Sequence, residues 1–199
     1  MNPGTVLPAP ATRERLLQTL IETQAFRVSP TPSFQLASGA MSCFYIDCKV
    51  GLSFASTREI VGELIFAKID SRVDAVGGLL IGAYPISIAV SDAAYRRGLE
   101  EMRVFAVRKE PKPHGMRNLI EGSVREGDRV LIVDDVITSG GSTIEAIKRS
   151  REAGLIVQHV IAIIDREEQD GRRRIEDQQV RFEALCTLRD LQGAADVQP

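Results

Sequence analysis

Asp134 and Asp135 stand side by side at the end of an apolar run, and a loop with almost no side-chain bulk follows them. The stretch reads VLIVDDVITSGGST, residues 130–143. Ionised carboxylates accept hydrogen bonds and donate none, so the pair suits a polyhydroxyl ligand or a metal that bridges to phosphates. The loop Thr138, Ser139, Gly140, Gly141, Ser142, Thr143 has the opposite preference. Its glycines let backbone N–H groups turn toward one point, and its hydroxyls add donors. The helix start that follows favours an anion, typically by ~0.3–1 kcal/mol at an exposed site. A phosphate at one end and a diol in the middle describe a ribose 5-phosphate.

Cations stand at two other places. The stretch RKEPKPHG carries Arg108, Lys109, Lys112 and His114 among prolines and a glycine, and Arg166 follows Asp165 at the end of another apolar run. Cations beside prolines and a glycine at a strand end give that edge positive charge. A solvated charged loop is the plainer reading of the same residues. No GK[ST] follows the glycines, which excludes a Walker A loop, and GxGxxG is absent. A receiver-type acidic pocket also pairs aspartates at a strand end, but has no use for the hydroxyl-glycine loop. An ordinary strand-to-helix turn, with glycine for geometry and Ser142 as a cap, stays open.

The elements that position these groups follow from periodicity. Apolar runs at residues 73–78, 103–110, 129–135 and 155–167 read as strands, with helices between them at 85–98 and 142–154. Ser142 and Glu145 stand at capping-box spacing, and Gly154 lies just past the helix end. Continuous apolar strands alternating with helices predict a mainly parallel sheet covered on both faces, an α/β fold. Ligands bind outside the carboxyl edge of such a sheet. That edge would collect Gly77-Gly78, Arg108-Lys109, Asp134-Asp135 and Asp165-Arg166. Gly77 and Gly78 are read as a strand end where backbone approaches a phosphate, or as a plain turn. Before the sheet, the pattern predicts helices at 13–26 and 56–69, and a hairpin from FQLASG and SCFYIDCKV around Ser38-Gly39. A short helix near 171–178 and a strand near 182–187 close the chain. His159 lies inside an apolar strand and is read as structural.

Composition narrows the classes. The 199 residues are 44% hydrophobic and 26% charged, with formal net charge −2. This is globular composition, and the near-neutral balance argues against a nucleic-acid partner. No apolar run approaches the roughly 20 residues of a membrane span. The N-terminal stretch lacks the pattern of a secretory signal. Cys43, Cys48 and Cys186 form no CxxC pair and are expected to be free thiols in a reducing cytoplasm.

The segment VLIVDDVITSGGST resembles the signature of type I phosphoribosyltransferases, which bind phosphoribosyl pyrophosphate (PRPP). FQLASGAMSCFYID, AVGGLLIGAYPIS, FAVRKEPKPHG, LIEGSVREGDRVLIVDD and DREE resemble, in the same order, the orotate phosphoribosyltransferase family over roughly residues 12–190. The resemblance implies a small N-terminal hood of helix and hairpin at 1–55, part of one domain with a phosphoribosyltransferase core at 56–199. It implies transfer of phosphoribosyl from PRPP to orotate, with Mg²⁺, giving orotidine 5′-monophosphate and pyrophosphate in pyrimidine biosynthesis. Lys112, Asp134 and Asp135 would be the catalytic residues, the aspartates holding the ribose hydroxyls. Val136, Ile137, Thr138, Ser139, Gly140, Gly141 and Ser142 would complete the PRPP site. Arg108, Lys109, Lys112 and His114 would close over the pyrophosphate, reaching a neighbouring subunit's site in a homodimer. Thr138 and Arg166 would hold orotate, beside an aromatic pair, Phe44-Tyr45, suited to a planar base. The chain departs from the family pattern at Ala37, Ala40 and Ile81, where many members carry cations. A transferase for another base and a non-catalytic PRPP sensor are the competing readings.

Overall fold

A computed structural model describes residues 11–35, 39–69, 72–110 and 119–196. Ala37, Ser38, Lys112 and His114 lie outside them. The chain opens on α1 (Arg13–Glu22), whose N-cap Thr12 accepts a hydrogen bond from the Arg15 N–H at 3.1 Å. The hood follows: β1 (Phe26–Val28), β2 (Phe34–Gln35), β3 (Met41–Ser42), β4 (Phe44–Ile46) and α2 (Cys48–Leu52). Then come α3 (Ala55–Phe66), β5 (Ala75–Leu79), α4 (Ala83–Tyr95), β6 (Arg103–Val107), β7 (Ile120–Gly122), β8 (Arg129–Ile137), α5 (Gly141–Glu152), β9 (Ile156–Asp165), α6 (Gly171–Glu176), β10 (Arg181–Thr187) and α7 (Leu188–Ala194).

The main sheet runs β10-β9-β8-β5-β6-β7, parallel except for the antiparallel edge strand β7. Both faces are covered, as continuous apolar strands require. Leu16, Ile60 and Ile86, from α1, α3 and α4, fill one face; Ala146, Ile147 and Ile175, from α5 and α6, fill the other. From β5 the chain steps one way to β6 and later the other way to β8. The strand order therefore switches direction between β5 and β8, the position where open α/β sheets take ligands.

Four expectations change. The hood is not one hairpin. β2 pairs with β3, but β4 pairs with β1, so Phe26 lies opposite Ile46. The strand read through CKV stops at Ile46, because Asp47 accepts a hydrogen bond from the Lys49 N–H at 3.1 Å and opens α2. Gly77 and Gly78 lie inside β5 and do not end it. A Cβ on Gly77 would meet the Phe105 ring at 2.5 Å, and one on Gly78 would meet the Val133 carbonyl oxygen at 2.3 Å. They are glycines because neighbouring strands press on them, and no ligand is needed to explain them. Finally, the capping box at Ser142 and Glu145 does not form. The N-cap of α5 is Gly140 at φ +72°, with no side-chain cap.

Candidate functional site

Two adjacent carboxylates on an extended strand point to opposite sides. β8 continues to Ile137, so Asp134 and Asp135 part company. Asp134 turns inward and is 4% exposed. Its Oδ2 accepts hydrogen bonds from the Ser142 hydroxyl at 2.8 Å and the Thr143 hydroxyl at 2.6 Å. Its Oδ1 accepts from the Asp135 N–H at 3.0 Å. Burial, and then the neighbouring Asp135, push its carboxyl up to about 6, against the pull of the two hydroxyls. Asp134 and Ser142 belong to the expected substrate site; in the structure the Ser142 and Thr143 hydroxyls bond Asp134, which thereby ties the first turn of α5 to β8.

Asp135 faces the other way. Its Oδ1 accepts from the Val136 N–H at 2.9 Å, and its Oδ2 lies 3.6 Å from the Lys49 ammonium. Gly82, the N-cap of α4, sits against it: a Cβ there would be 2.8 Å from Asp135 Oδ1. The positive end of α4 thus stands beside this carboxylate at the switch point. Ile81, in the β5–α4 loop, is 72% exposed.

A cavity of about 350 Å³ opens in front of Asp135. The hood contributes Gln35, Tyr45, Ile46 and Lys49 to its wall, β8 and its loop Asp135, Val136, Thr138 and Ser139, and the end of β9 Arg166 and Gln169. The structure therefore brings together Asp135, Val136, Thr138, Ser139 and Arg166 from the expected set. Ile137 is buried among the side chains packed on α5. Tyr45 lines the cavity, stacked on Phe34 at 5.4 Å, while its neighbour Phe44 stacks on Phe26 at 6.1 Å and packs against the core.

The loop itself is braced from behind. The Arg174 guanidinium donates to the Ser139 carbonyl at 2.7 Å. A Cβ on Gly140 would meet Ile175 at 2.9 Å, and one on Gly171 would meet the Thr138 carbonyl at 2.3 Å. Gly140 supplies no side-chain cap to the first turn of α5, and an uncapped helix start is the arrangement an anion fills. Arg166 is 4% exposed, yet borders the cavity. Its Nε and Nη2 donate to Glu168 at 3.0 Å each, and its N–H donates to the Ile137 carbonyl at 2.9 Å.

Arg108 and Lys109 stand after β6, outside this cavity wall. Arg108 Nη1 lies 3.6 Å from Glu121, and the Arg108 carbonyl accepts from Arg149 of α5. His159 bonds Glu183 on the adjacent strand at 3.0 Å, and burial lowers its pKa. Among the described residues, no group of three or more His, Cys, Asp or Glu side chains is arranged to hold a metal ion. Lys49 lines the cavity and was not singled out from the sequence. Its signal was available: an aspartate two residues before it, in an N-cap position.

Comparison with known proteins agrees with this geometry. Residues 52–184 match the phosphoribosyl transferase domain. The chain is 37% identical over 180 residues to the orotate phosphoribosyltransferase of Aquifex aeolicus, covering 90% of this chain and 97% of that one. It is 37% identical over 181 residues to that of Methanocaldococcus jannaschii, covering 91% and 97%. The crystal structure of Mycobacterium tuberculosis H37Rv orotate phosphoribosyltransferase in complex with PRPP matches with a TM-score of 0.71 at 28% identity, covering 90% of this chain and 98% of that one. The chain belongs to the phosphoribosyltransferases, and among them to the orotate phosphoribosyltransferase family.

Proposed function

We propose that this protein transfers the 5-phosphoribosyl group of PRPP to orotate, releasing pyrophosphate and forming orotidine 5′-monophosphate. The observation that carries this reading is one cavity lined by a carboxylate, a buried arginine and the loop that leads into an uncapped helix start, in a chain of this family. Asp135, with one oxygen toward the cavity, takes the ribose hydroxyls. The backbone at Ser139, Gly140, Gly141 and Ser142 takes the 5′-phosphate. Arg166, held by Glu168, offers its remaining donors to the carboxylate of orotate, with Thr138 and Tyr45 beside the ring.

The reaction breaks the C1–O bond to pyrophosphate and forms a C1–N bond to the base, through a sugar with cation character. Negative charge grows on the leaving oxygen, so cations aimed at it lower the barrier. Arg108 and Lys109 follow β6 at the same carboxyl edge of the sheet as Asp135, and Lys112 and His114 belong to the same stretch of sequence. Mg²⁺ keeps several waters and takes one or two carboxylates plus substrate phosphates, so the donor set fits an ion carried on PRPP, with Asp135 as its protein neighbour. When bound, the ion supplies charge neutralisation on the pyrophosphate.

A homodimer with the basic loop shared across subunits belongs to the same reading. It is supported by exposed Tyr84, Ile88 and Tyr95 along one side of α4, with exposed Ile81 just before it, a face for a second copy. A cytoplasmic setting is supported by three free cysteines. Among the described residues, no helix is long and apolar enough to cross a membrane.

The test is loss of orotate absorbance on mixing the protein with PRPP and Mg²⁺, with Lys112→Ala alongside. Turnover that the variant loses is the expected result. Pyrophosphate release with another base, but not orotate, would overturn the substrate. PRPP binding without turnover of any base would overturn the enzyme.

A further inference from the structure

Among the described residues two cations border the cavity, and of these Arg166 belongs to the expected site. The other, Lys49, comes from the hood. It sits on α2 next to Cys48, which is fully buried and directs its thiol to the Asp135 carbonyl at 4.0 Å. That contact fixes the first turn of α2 against β8. Asp47 then holds Lys49 at both ends, accepting from its N–H at 3.1 Å and from its ammonium at 2.8 Å. The ammonium is aimed along the cavity wall toward Asp135, and the side chain is 53% exposed. It is an oriented charge, and it is not withdrawn into the protein.

Ala37, Ala40 and Ile81, where the family resemblance led cations to be expected, are uncharged in this sequence. Arg108 and Lys109, the cations beyond β6, do not line this cavity. Lys49 shares its wall with Tyr45, Thr138 and Arg166, the groups suited to a planar acidic base.

The geometry points to Lys49 as a specificity-determining residue: with Arg166 it reads the carboxylate of the acceptor base. The inference rests on the orotate reading above and deepens it. In the free protein the ammonium is shared between Asp47 and Asp135. When the ribose hydroxyls engage Asp135, the ammonium turns to the base, with Asp47 still holding it from behind. A cation here rewards a base with a carboxylate and gives nothing to one without it.

Orotate and uracil differ by that carboxylate, so they are the probes. Steady-state kinetics of the full-length protein, Lys49→Met and Lys49→Arg would be compared, with thermal melting as the check on folding. Lys49→Met should lose roughly 10- to 100-fold in kcat/KM for orotate, the worth of a charge-assisted hydrogen bond. The loss should sit in the KM for orotate, with the KM for PRPP changed by less than about twofold. The rate with uracil should not fall, and Lys49→Arg should recover most of the orotate activity. Equal losses with both bases, or a loss carried by the KM for PRPP, would overturn the inference and assign Lys49 to the sugar or the pyrophosphate. Orotate turnover that survives Lys49→Met unchanged would overturn it as well, leaving the parent reading intact. Absence of orotate turnover by the unaltered protein would sink the parent reading, and this one with it.

Discussion

The β8–α5 turn and the hood meet across one cavity, yet they hold their polar groups in opposite ways. In the turn, side chains are locked from within. Asp134 takes three hydrogen bonds, Arg174 holds the Ser139 carbonyl, and Gly140 fits against Ile175 with no room to spare. In the hood, the groups that reach the cavity are held from outside. Lys49 is shared between carboxylates, and Tyr45 stacks on Phe34, with the guanidinium of Arg27 4.8 Å from its ring centre. A phosphate must be met by backbone at fixed points, so its cradle is rigid. A base is met by side chains whose identity can change without disturbing the sheet.

The comparison breaks first if the turn is not rigid. Gly140→Val places a branched side chain at φ +72° and into Ile175. Backbone strain and overpacking together should cost about 3 kcal/mol, read as a lower urea midpoint. A cost below about 1 kcal/mol would show that the turn yields. Next comes pH. The Asp134 carboxyl stands at about 6 in the folded protein, above its ordinary 3.8. A pKa raised on folding favours the native state most below about 4, and that contribution is lost as pH rises through about 6. Urea unfolding should therefore show stability falling by about 2–3 kcal/mol from pH 4 to 7 through this group. Asp134→Asn should flatten that slope, and an unchanged slope would assign it to other groups. Thr143→Val removes one of the two hydroxyl donors, so a buried carboxylate loses a partner. We expect a loss of about 1.5 kcal/mol at pH 7, smaller at pH 4, where Asp134 is protonated. A loss independent of pH would mean that the hydroxyl acts through packing.

These effects also mark what sequence could reveal. β8 and β9 were plain because fully buried parallel strands leave continuous apolar runs, and VDDVITSGGST announced its turn by composition. The split between Asp134 and Asp135 was within reach, since strand period alone sends neighbours to opposite sides; reading the strand as ending at the pair hid it. Gly77 and Gly78 looked like an ending because glycine weakens strands, whereas here Phe105 and the Val133 carbonyl demand its absence of a side chain. The hood was least legible. β2 and β3 have two residues each and α2 has five, too short for any period to register. Which strand pairs with which was decided by tertiary packing of Phe26 on Phe44. Lys112 and His114 lie outside the described residues, so the basic loop rests on sequence alone.

The smallest effect probes the adaptable side. Arg27 lies over the rings of both Tyr45, at 4.8 Å, and Phe34, at 5.9 Å, and so holds the aromatic wall of the cavity without lining it. A partly exposed cation–π contact is worth about 0.5–1 kcal/mol. Arg27→Ala should loosen Tyr45 and raise the KM for orotate roughly two- to fivefold, the same energy read as binding. The KM for PRPP and the urea midpoint should barely move, because β1 joins the hood and does not join the main sheet. Arg27→Lys, which keeps the charge but stacks less well, should fall between the two. If Arg27→Ala instead lowers kcat and the KM for PRPP together, the hood and the phosphate turn are mechanically coupled. The contrast between a rigid cradle and an adaptable wall would then have to give way to a single cooperative site.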